Sequence, residues 1–479
     1  MKRIQTEVSG LDVVLSGGLE ESSVVVLAGA PGTGKTILAH QICFAVATAE
    51  RKCVYYTTVS EPRTKLVGHL EAFNFFDADA IGMRLEHIHL GSFLQPDNHD
   101  GLKSLVSEIV RKVLAEEPAI VVLDSAKMLQ DFANERQLRS ALYDLTGRLA
   151  RSDTVLLLLG EYRAQELDSG VEFSLADAII QLEYEIREPV DRRTLRVVKM
   201  RGGRNVPGRH TFQISDLGVR VFPRIETLVP ARVSAVAGRI SSGIAGLDEL
   251  MAGGMMQGDA TLVMGPSGVG KTTLGMRWLA EGLEQGDRCL FVTLQDSAAH
   301  LTEMAAVFGW SVAEARASGQ LEISYIPTGD LDMDVLANTV RMSLAVGEVR
   351  RVVIDSLAEL VLATREWDRF PAYMRSLVRM VRAVGSSMLV SSETTATGLA
   401  AQSMERLMFL FDNVLDLRYI EEEEGLGRAL NVVKMRNGAH KMTLNSVTIT
   451  NHGLQIGGAI EGAAGRLGWS ALRAHDVTN

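Results

Sequence analysis

Two phosphate-binding motifs constrain the fold of this chain more than any other feature of its sequence. Both copies satisfy the pattern G-x-x-x-x-G-K-[ST], in which backbone N–H groups wrap around the phosphates of a nucleotide. They read Gly29-Ala30-Pro31-Gly32-Thr33-Gly34-Lys35-Thr36 and Gly265-Pro266-Ser267-Gly268-Val269-Gly270-Lys271-Thr272. Each copy follows an apolar stretch that is typical of a buried strand. The pair therefore predicts two nucleotide-binding domains in one chain.

The duplication extends beyond the two motifs. Gly10-Leu11-Asp12 recurs as Gly246-Leu247-Asp248, and Cys53 recurs as Cys289, in each case 236 positions later. A repeat of this length indicates a duplicated domain rather than a solenoid of small units. Half of 479 residues is an ordinary size for an α/β domain. We predict domains at 1–228 and 229–456 and a flexible tail, rich in Gly and Ala, at 457–479.

Apolar runs without alternation predict parallel strands that are covered on both faces. In the first half they predict strands at 23–28, 53–59, 119–123 and 154–159, helices at 37–48 and 137–151, and a hairpin of 178–184 with 194–199. In the second half they predict strands at 260–264, 289–293, 352–354, 388–391, 414–419 and 429–434. The expected fold class is α/β, with two tandem domains that each contain a mostly parallel sheet, flanking helices and a C-terminal β-hairpin.

Each phosphate-binding loop supplies three kinds of group to a nucleotide. Lys35 and Lys271 are expected to bridge the β- and γ-phosphates, and Thr36 and Thr272 to ligate Mg²⁺ through their hydroxyls. The remaining loop residues bring backbone N–H groups close to the phosphates; they are Gly29, Gly32, Thr33 and Gly34 in the first copy and Gly265, Gly268, Val269 and Gly270 in the second. The alternative is a glycine-rich turn without a ligand.

Acidic residues at strand ends complete the predicted chemistry. Asp124 and Asp355 each end an apolar strand, where a carboxylate that faces Mg²⁺ is expected, although either could instead cap a helix. Hydrolysis also needs a side chain that orients the attacking water. Glu61 and Asp296 follow the second strand of each copy and are the first candidates for this role. Glu161 and Glu393 are less direct candidates, and the remaining alternative for all four is a surface carboxylate.

A basic pair follows the last predicted hairpin strand of each half. The pairs are Lys199 with Arg201 and Lys434 with Arg436, and alternation along a strand places both members on one face. They could reach an anion, or they could be solvated charges at the end of a strand.

The composition excludes several classes of protein. The formal net charge of −10 argues against broad binding to a nucleic-acid backbone. Three cysteines without paired spacing predict neither a disulfide framework nor a metal site. The segment MKRIQTEVSG lacks the apolar region of a signal peptide, and no apolar run is long enough to span a bilayer. We expect a soluble, cytoplasmic protein.

Taken together, these motifs identify a family resemblance over nearly the whole chain. The first half contains SGLD, SGG, GAPGTGKT, VVLDS and VVKMRGG, and the second contains SGIAGLDELMAGG, GPSGVGKT, VVIDS and VVKMRNG. The chain resembles the KaiC group of the RecA-like ATPases. The resemblance implies a double-ring homohexamer that binds ATP and Mg²⁺ between neighbouring subunits. It also implies that Lys199, Arg201, Lys434 and Arg436 reach the γ-phosphate bound by the neighbouring subunit.

The sequence departs from the family pattern at two places. The typical clock member carries two adjacent glutamates where this chain has Ser60-Glu61 and Gln295-Asp296. It also carries an adjacent Ser-Thr phosphoacceptor pair where this chain has Met408-Phe409. The nearest hydroxyls to that place lie within 394–403.

Four functions remain in competition at this point. The first is a hexameric ATPase with slow turnover, acting in regulation or signalling together with other proteins. The second is an ATP-gated scaffold without hydrolysis, and the third is a serine/threonine autokinase with phosphoacceptors at 394–403. A DNA motor is the fourth, and the acidic balance weighs against it.

Overall fold

The computed structural model of the protein contains two compact units, Met1–Leu228 and Val229–Asn479. The structure describes residues 2–57, 63–93, 101–163, 165–166, 170–186, 191–228, 238–327, 329, 331–363, 366–393, 408–422, 425–436 and 438–460. Within these residues each unit contains one nine-stranded sheet and one two-stranded sheet.

Unit one places its phosphate-binding loop between the third strand and the second helix. Its strands are β1 (Arg3–Ile4), β2 (Leu19–Glu20), β3 (Val24–Gly29), β4 (Cys53–Thr57), β5 (Leu85–His89), β6 (Ile120–Asp124), β7 (Val155–Glu161), β8 (Ala178–Glu185), β9 (Arg192–Met200), β10 (His210–Ser215) and β11 (Gly218–Phe222). Its helices are α1 (Leu11–Val14), α2 (Lys35–Val46), α3 (Arg63–Leu70), α4 (Gly101–Glu116), α5 (Glu135–Leu149) and α6 (Val171–Leu175).

Unit two repeats this arrangement, with its loop between β14 and α8. Its strands are β12 (Arg239–Ile240), β13 (Met255–Met256), β14 (Ala260–Gly265), β15 (Arg288–Thr293), β16 (Leu321–Tyr325), β17 (Val349–Asp355), β18 (Ser387–Glu393), β19 (Asn413–Glu422), β20 (Gly425–Met435), β21 (Asn445–Thr450) and β22 (Gly453–Ala459). Its helices are α7 (Ala245–Leu250), α8 (Lys271–Glu284), α9 (Ala298–Val307), α10 (Val312–Ala317), α11 (Met333–Val346), α12 (Leu357–Ala363) and α13 (Phe370–Ala383).

The two large sheets have the same topology. Their strand orders are β11-β10-β9-β8-β3-β7-β6-β4-β5 and β22-β21-β20-β19-β14-β18-β17-β15-β16. In each sheet the six strands from β8 to β5, or from β19 to β16, run parallel, and the remaining three are antiparallel. The predicted α/β class with tandem, mostly parallel sheets is confirmed.

The central strands are buried on both faces, which explains their uninterrupted apolar sequence. Alternate residues of β3 belong to different cores: Val25 and Leu27 pack on one face of the sheet, and Val24 and Val26 on the other. The helices cover these faces with apolar stripes. In α4 that stripe consists of Leu102, Leu105, Val106, Ile109, Val110 and Val113, at the three- and four-residue spacing of a helix.

The sequence-based prediction missed strands at both edges of each sheet. The edge strands β5 and β16 mix apolar with polar residues, so they lack the continuous apolar run of a central strand. The predicted C-terminal hairpin is part of a longer meander, because β10 and β11, or β21 and β22, continue it. The last strand also corrects the tail boundary, since residues 457–459 belong to β22. Residues 461–479 lie outside the described residues.

Candidate functional site

Backbone geometry shapes both phosphate-binding loops. Gly34 and Gly270, immediately before α2 and α8, have φ values of 97° and 112°, in a region that favours glycine. At the start of each loop, a Cβ on Gly29 would lie 2.5 Å from Leu182 O and one on Gly265 would lie 2.4 Å from Leu417 O. Each loop thus depends on glycine for its turn and for its contact with the neighbouring strand.

The loop lysines bend back over their own loops. Lys35 Nζ donates to Gly29 O and Ala30 O, both at 2.9 Å, and Lys271 Nζ donates to Gly265 O at 3.0 Å and Pro266 O at 2.8 Å. Burial lowers the pKa of both lysines, while nearby carboxylates act in the opposite direction. Each ammonium group therefore lies at the centre of a loop that can receive phosphates.

The residues predicted to hold Mg²⁺ lie together in both units. Thr36 Oγ1 donates to Asp124 Oδ2 at 2.9 Å, and Thr272 Oγ1 donates to Asp355 Oδ2 at 2.6 Å. A hydroxyl and a carboxylate beside a phosphate site form the oxygen-rich donor set that Mg²⁺ prefers, and this ion uses few protein ligands when phosphates supply others. The residues present in both units fit such an ion.

Each aspartate receives a second hydroxyl that the sequence analysis did not identify. Tyr55 OH on β4 donates to Asp124 Oδ2 at 2.7 Å. In unit two, Ser391 Oγ on β18 donates to Asp355 Oδ1 instead. Both donors lie on neighbouring strands far away in the sequence, so no local motif could have indicated them.

The acidic residues have different positions relative to the loops. Glu161 and Glu393 pair in the sheet register with Gly29 and Gly265, the first residues of the loops, and contribute to the electrostatic field at the loop lysines. Each glutamate therefore lies on the strand next to the first residue of a loop. Glu61 lies outside the described residues, as does the segment 394–403.

Asp296 lies where β15 leaves the sheet. A reciprocal pair of hydrogen bonds holds its backbone, with Asp296 N donating to Thr293 Oγ1 at 3.0 Å and Thr293 Oγ1 donating to Asp296 O at 2.8 Å. Its charge is one of the influences that raise the pKa of Asp355, after the larger effect of burial. Asp296 is therefore close enough to interact electrostatically with the predicted metal site.

The basic pairs lie near the opposite end of the central strands from the loop of their own unit. Arg201 N donates to Asp177 O, and Asp177 N donates to Val24 O, five residues before Gly29. Arg436, Asp412 and Ala260 repeat this arrangement in unit two. At a rise of about 3.3 Å per residue, the pairs are roughly 16 Å along the strand from the loops.

The lysine and the arginine of each pair have different surroundings. Lys199 Nζ donates to Phe173 O at 2.9 Å, and Lys434 Nζ donates to Phe411 O at 2.7 Å, so both lysines also connect elements of their own unit. The side chain of Arg201 is 57% exposed and that of Arg436 is 56% exposed. The arginines are therefore the more available cations.

A tyrosine–arginine pair stands beside the loop in each unit and was also missed. Tyr184 and Arg193 are cross-strand partners on β8 and β9, and Tyr419 and Arg428 are the equivalent partners on β19 and β20. The guanidinium carbon lies over the tyrosine ring at 4.4 Å and 5.7 Å from its centre. In unit two, Tyr419 OH also donates to Ser267 O of the loop at 3.4 Å.

Unit one carries a buried histidine pair on α2 and β5. His40 on α2 donates from Nδ1 to Thr36 O at 2.8 Å, and its Nε2 lies 3.1 Å from His87 Nε2 on β5. Burial lowers the pKa of His40 to about 4. The positions equivalent to His40 and His87 in unit two, 236 residues later, are Met276 and Ile323.

This burial predicts a specific pH dependence of stability. A histidine in an unfolded chain has a pKa of about 6.5, so between this value and about 4 the unfolded state binds more protons, and the free energy of unfolding falls as the pH falls. Between pH 7 and pH 5 the free energy of unfolding of the parent protein should therefore fall. We expect this fall to be about 2 kcal/mol smaller in His40→Met. Urea unfolding at the two pH values measures this difference. Equal losses in the variant and the parent protein would contradict it.

Comparison with known proteins places the whole chain in one group. A sequence model of the family described as "ATPase: KaiC" matches residues 4–226 and 240–460. A "Circadian clock oscillator protein KaiC" of Parathermosynechococcus lividus is 25% identical over 472 residues, which cover 96% of this chain and 86% of that protein. The "Circadian clock oscillator protein KaiC 1" of Synechocystis is 24% identical, with coverage of 95% and 89%. Among the described residues, no helix is long and apolar enough to cross a membrane.

Proposed function

The chain belongs to the KaiC family of ATPases, and from this premise we propose that it is a slow, Mg²⁺-dependent ATPase that works as a homohexameric ring. The observation that carries the proposal is the repeated arrangement of lysine, threonine and aspartate around two glycine-rich loops. We further propose a cytoplasmic, regulatory role with protein partners, without binding to nucleic acid. The two sites would lie at 1–228 and 229–456, the predicted domains.

The geometry supports a division of labour among the residues of each unit. Lys35 and Lys271, now bonded to loop carbonyls, would turn to the β- and γ-phosphates when ATP enters. Thr36 with Asp124, and Thr272 with Asp355, would hold Mg²⁺. When bound, this ion would neutralise charge that develops on the phosphates.

The position of the basic pairs supports assembly into a ring. An arginine about 16 Å along the strand from the loop of its own unit is poorly placed to act there. It is exposed near the opposite end of the strands, where it can meet the loop of a second copy of the chain. Head-to-tail contacts of this kind generate closed rings when the rotation closes. Arg201 and Arg436, supported by Lys199 and Lys434, would then act on the γ-phosphate of a neighbour.

Release of ADP from ATP in the presence and absence of Mg²⁺ tests the proposed activity. We expect ADP to accumulate with Mg²⁺ and to stop accumulating when EDTA removes the ion. The reason is that the threonine–aspartate pair has no positive charge of its own with which to neutralise the phosphates. The variants Asp124→Asn and Asp355→Asn should each raise the Mg²⁺ concentration that their own unit requires for activity. Protein that retains intact ATP after prolonged incubation with Mg²⁺ would instead support the non-hydrolysing scaffold.

The same assay distinguishes between the candidate carboxylates. We propose Glu61 and Asp296 as the water-positioning residues, with Glu161 and Glu393 as their competitors. Glu61→Gln and Asp296→Asn should lower kcat of their own unit about 100-fold without weakening ATP binding. Glu161→Gln and Glu393→Gln are the matched controls. A larger loss of kcat in these controls would transfer the role to the strand-end glutamates.

One observation keeps the scaffold as the second candidate function. Among the described residues that follow β15, Asp296 is the first acid, its side chain is short, and its backbone belongs to a turn held by Thr293. An autokinase activity at 394–403 has no such support, since that segment lies outside the described residues.

A further inference from the structure

The two predicted metal aspartates are held by different donors. Asp124 accepts hydrogen bonds from Tyr55 and Thr36 on one oxygen, Oδ2, at 2.7 and 2.9 Å. Asp355 accepts from Ser391 on Oδ1 and from Thr272 on Oδ2. The threonine is common to both units, whereas the second hydroxyl comes from β4 in unit one and from β18 in unit two.

The sheet register shows that these donors are not equivalent positions. Ser391 pairs with Val263, whose counterpart Leu27 pairs with Leu159, so unit one has a leucine where unit two has its serine. Conversely, the residue 236 positions after Tyr55 is Phe291, which has no hydroxyl. Each unit therefore supplies the second donor from a strand on which the other unit has none at that position.

Unit one also contains groups that fix the orientation of Tyr55. The ring of His40 stacks on that of Tyr55, with centroids 4.0 Å apart and planes inclined by 25°. His40 is anchored in turn by Thr36 O, which can only accept, so the imidazole carries its proton on Nδ1. In neutral His40, Nε2 is then an acceptor, and His87 donates to it at 3.1 Å.

These contacts form a closed arrangement around the predicted metal ligands. Tyr55 donates to Asp124, and His40 stacks on Tyr55. His40 also donates to the backbone carbonyl of Thr36, whose hydroxyl donates to Asp124. Tyr55 and His40 are fully buried. A buried, ring-stacked tyrosine has little rotational freedom, so its hydroxyl can hold the carboxylate in one orientation.

We propose that Tyr55 is a positioning residue that aligns Asp124 for a divalent cation, and that His40 and His87 hold Tyr55 in place. In unit two, Ser391 performs the positioning without a histidine pair. This inference rests on the proposed function, because it assigns residues to the cation site of the ATPase. It implies that the two nucleotide sites of one chain depend on Mg²⁺ through separate sets of side chains.

The test separates the two sites by inactivating one loop. In a Lys271→Ala background, Tyr55→Phe removes only the hydroxyl, because the phenylalanine ring can occupy the same space. The measurement is the affinity for a fluorescent ATP analogue as a function of Mg²⁺ concentration. We expect the concentration of Mg²⁺ at half-saturation to rise about tenfold, as for the loss of one hydrogen bond to a charged group. Binding without Mg²⁺ should remain unchanged.

The neighbouring tyrosine provides a matched control. Tyr56 is also buried on the same strand, but it belongs to the core on the opposite face of the sheet, and its hydroxyl has no hydrogen-bond partner among the described residues. Tyr56→Phe should leave the Mg²⁺ dependence unchanged. Adding Leu159→Ser to Tyr55→Phe gives unit one a serine at the position that Ser391 occupies in unit two. This serine should restore part of the lost Mg²⁺ affinity.

A reciprocal measurement addresses unit two. In a Lys35→Ala background, Ser391→Ala should raise the Mg²⁺ requirement, and Tyr55→Phe should have no effect. An unchanged Mg²⁺ requirement in Tyr55→Phe with Lys271→Ala would overturn the positioning role while leaving the ATPase proposal intact. Failure of the Lys271→Ala parent to bind the analogue at any Mg²⁺ concentration would instead contradict the nucleotide site itself, and the inference with it.

Discussion

Lys35→Ala and Lys271→Ala are each expected to lower the ATP turnover of their own unit by at least about 100-fold, and the double variant is expected to have no measurable activity. The physical reason is that each lysine places its only charge at the centre of a loop where charge develops during phosphoryl transfer. Burial has already removed much of its hydration, as the lowered pKa of both lysines indicates.

Steady-state ADP release from the two single variants measures the contribution of each unit. If the units work independently, the rates of the two single variants should add up to the rate of the parent protein. Lys441→Ala is a suitable control, since this exposed lysine pairs with Glu249 on the surface. Full activity in the double variant would exclude both loops from the chemistry.

Mixing two inactive variants is expected to restore activity, because each site would be completed by a neighbouring subunit. Arg201→Ala should reduce turnover in unit one by about a thousandfold, the lower end of the effect of an arginine finger. In random mixed rings of Arg201→Ala and Lys35→Ala subunits, about a quarter of the unit-one interfaces combine an intact loop with an intact arginine. Turnover in unit one should therefore recover to about a quarter of the original rate.

The mixing experiment is made in a Lys271→Ala background, so that only unit one contributes. Arg139→Ala is the matched control, because its side chain is also 57% exposed and it pairs with Glu135 on the same helix. This control should retain the parent rate alone and in mixtures. No recovery in the mixed rings would show that Arg201 does not act between subunits.

Much of the architecture was predictable because it is encoded locally. The apolar runs located β3, β4, β6 and β7 to within about two residues, since a central parallel strand needs apolar residues on both faces. The edge strand β5 was missed because Leu85-Glu86-His87-Ile88-His89 mixes polar with apolar residues. The strands that extend the C-terminal hairpin were missed for the same reason, since one of their faces is partly exposed.

Some residues of the candidate site could likewise be identified from the sequence, and others could not. Lys35, Thr36 and Asp124 could be identified because a phosphate site needs these residue types at the ends of strands. Tyr55 could not, because a tyrosine within an apolar strand is indistinguishable from a core residue until the neighbouring strand is known. The same applies to Ser391, whose role depends on its register with Val263.

The sequence by itself determined that this chain has two phosphate-binding domains of one family, because a phosphate loop is a continuous segment whose geometry depends on its own glycines. Only the tertiary structure decided which hydroxyl holds each aspartate, and that the basic pairs face away from the loops of their own units. These properties depend on strand order and register, which join residues as distant as Tyr55 and Asp124 or Asp355 and Ser391. Two copies with nearly the same motifs can therefore surround their predicted metal ligands with different side chains.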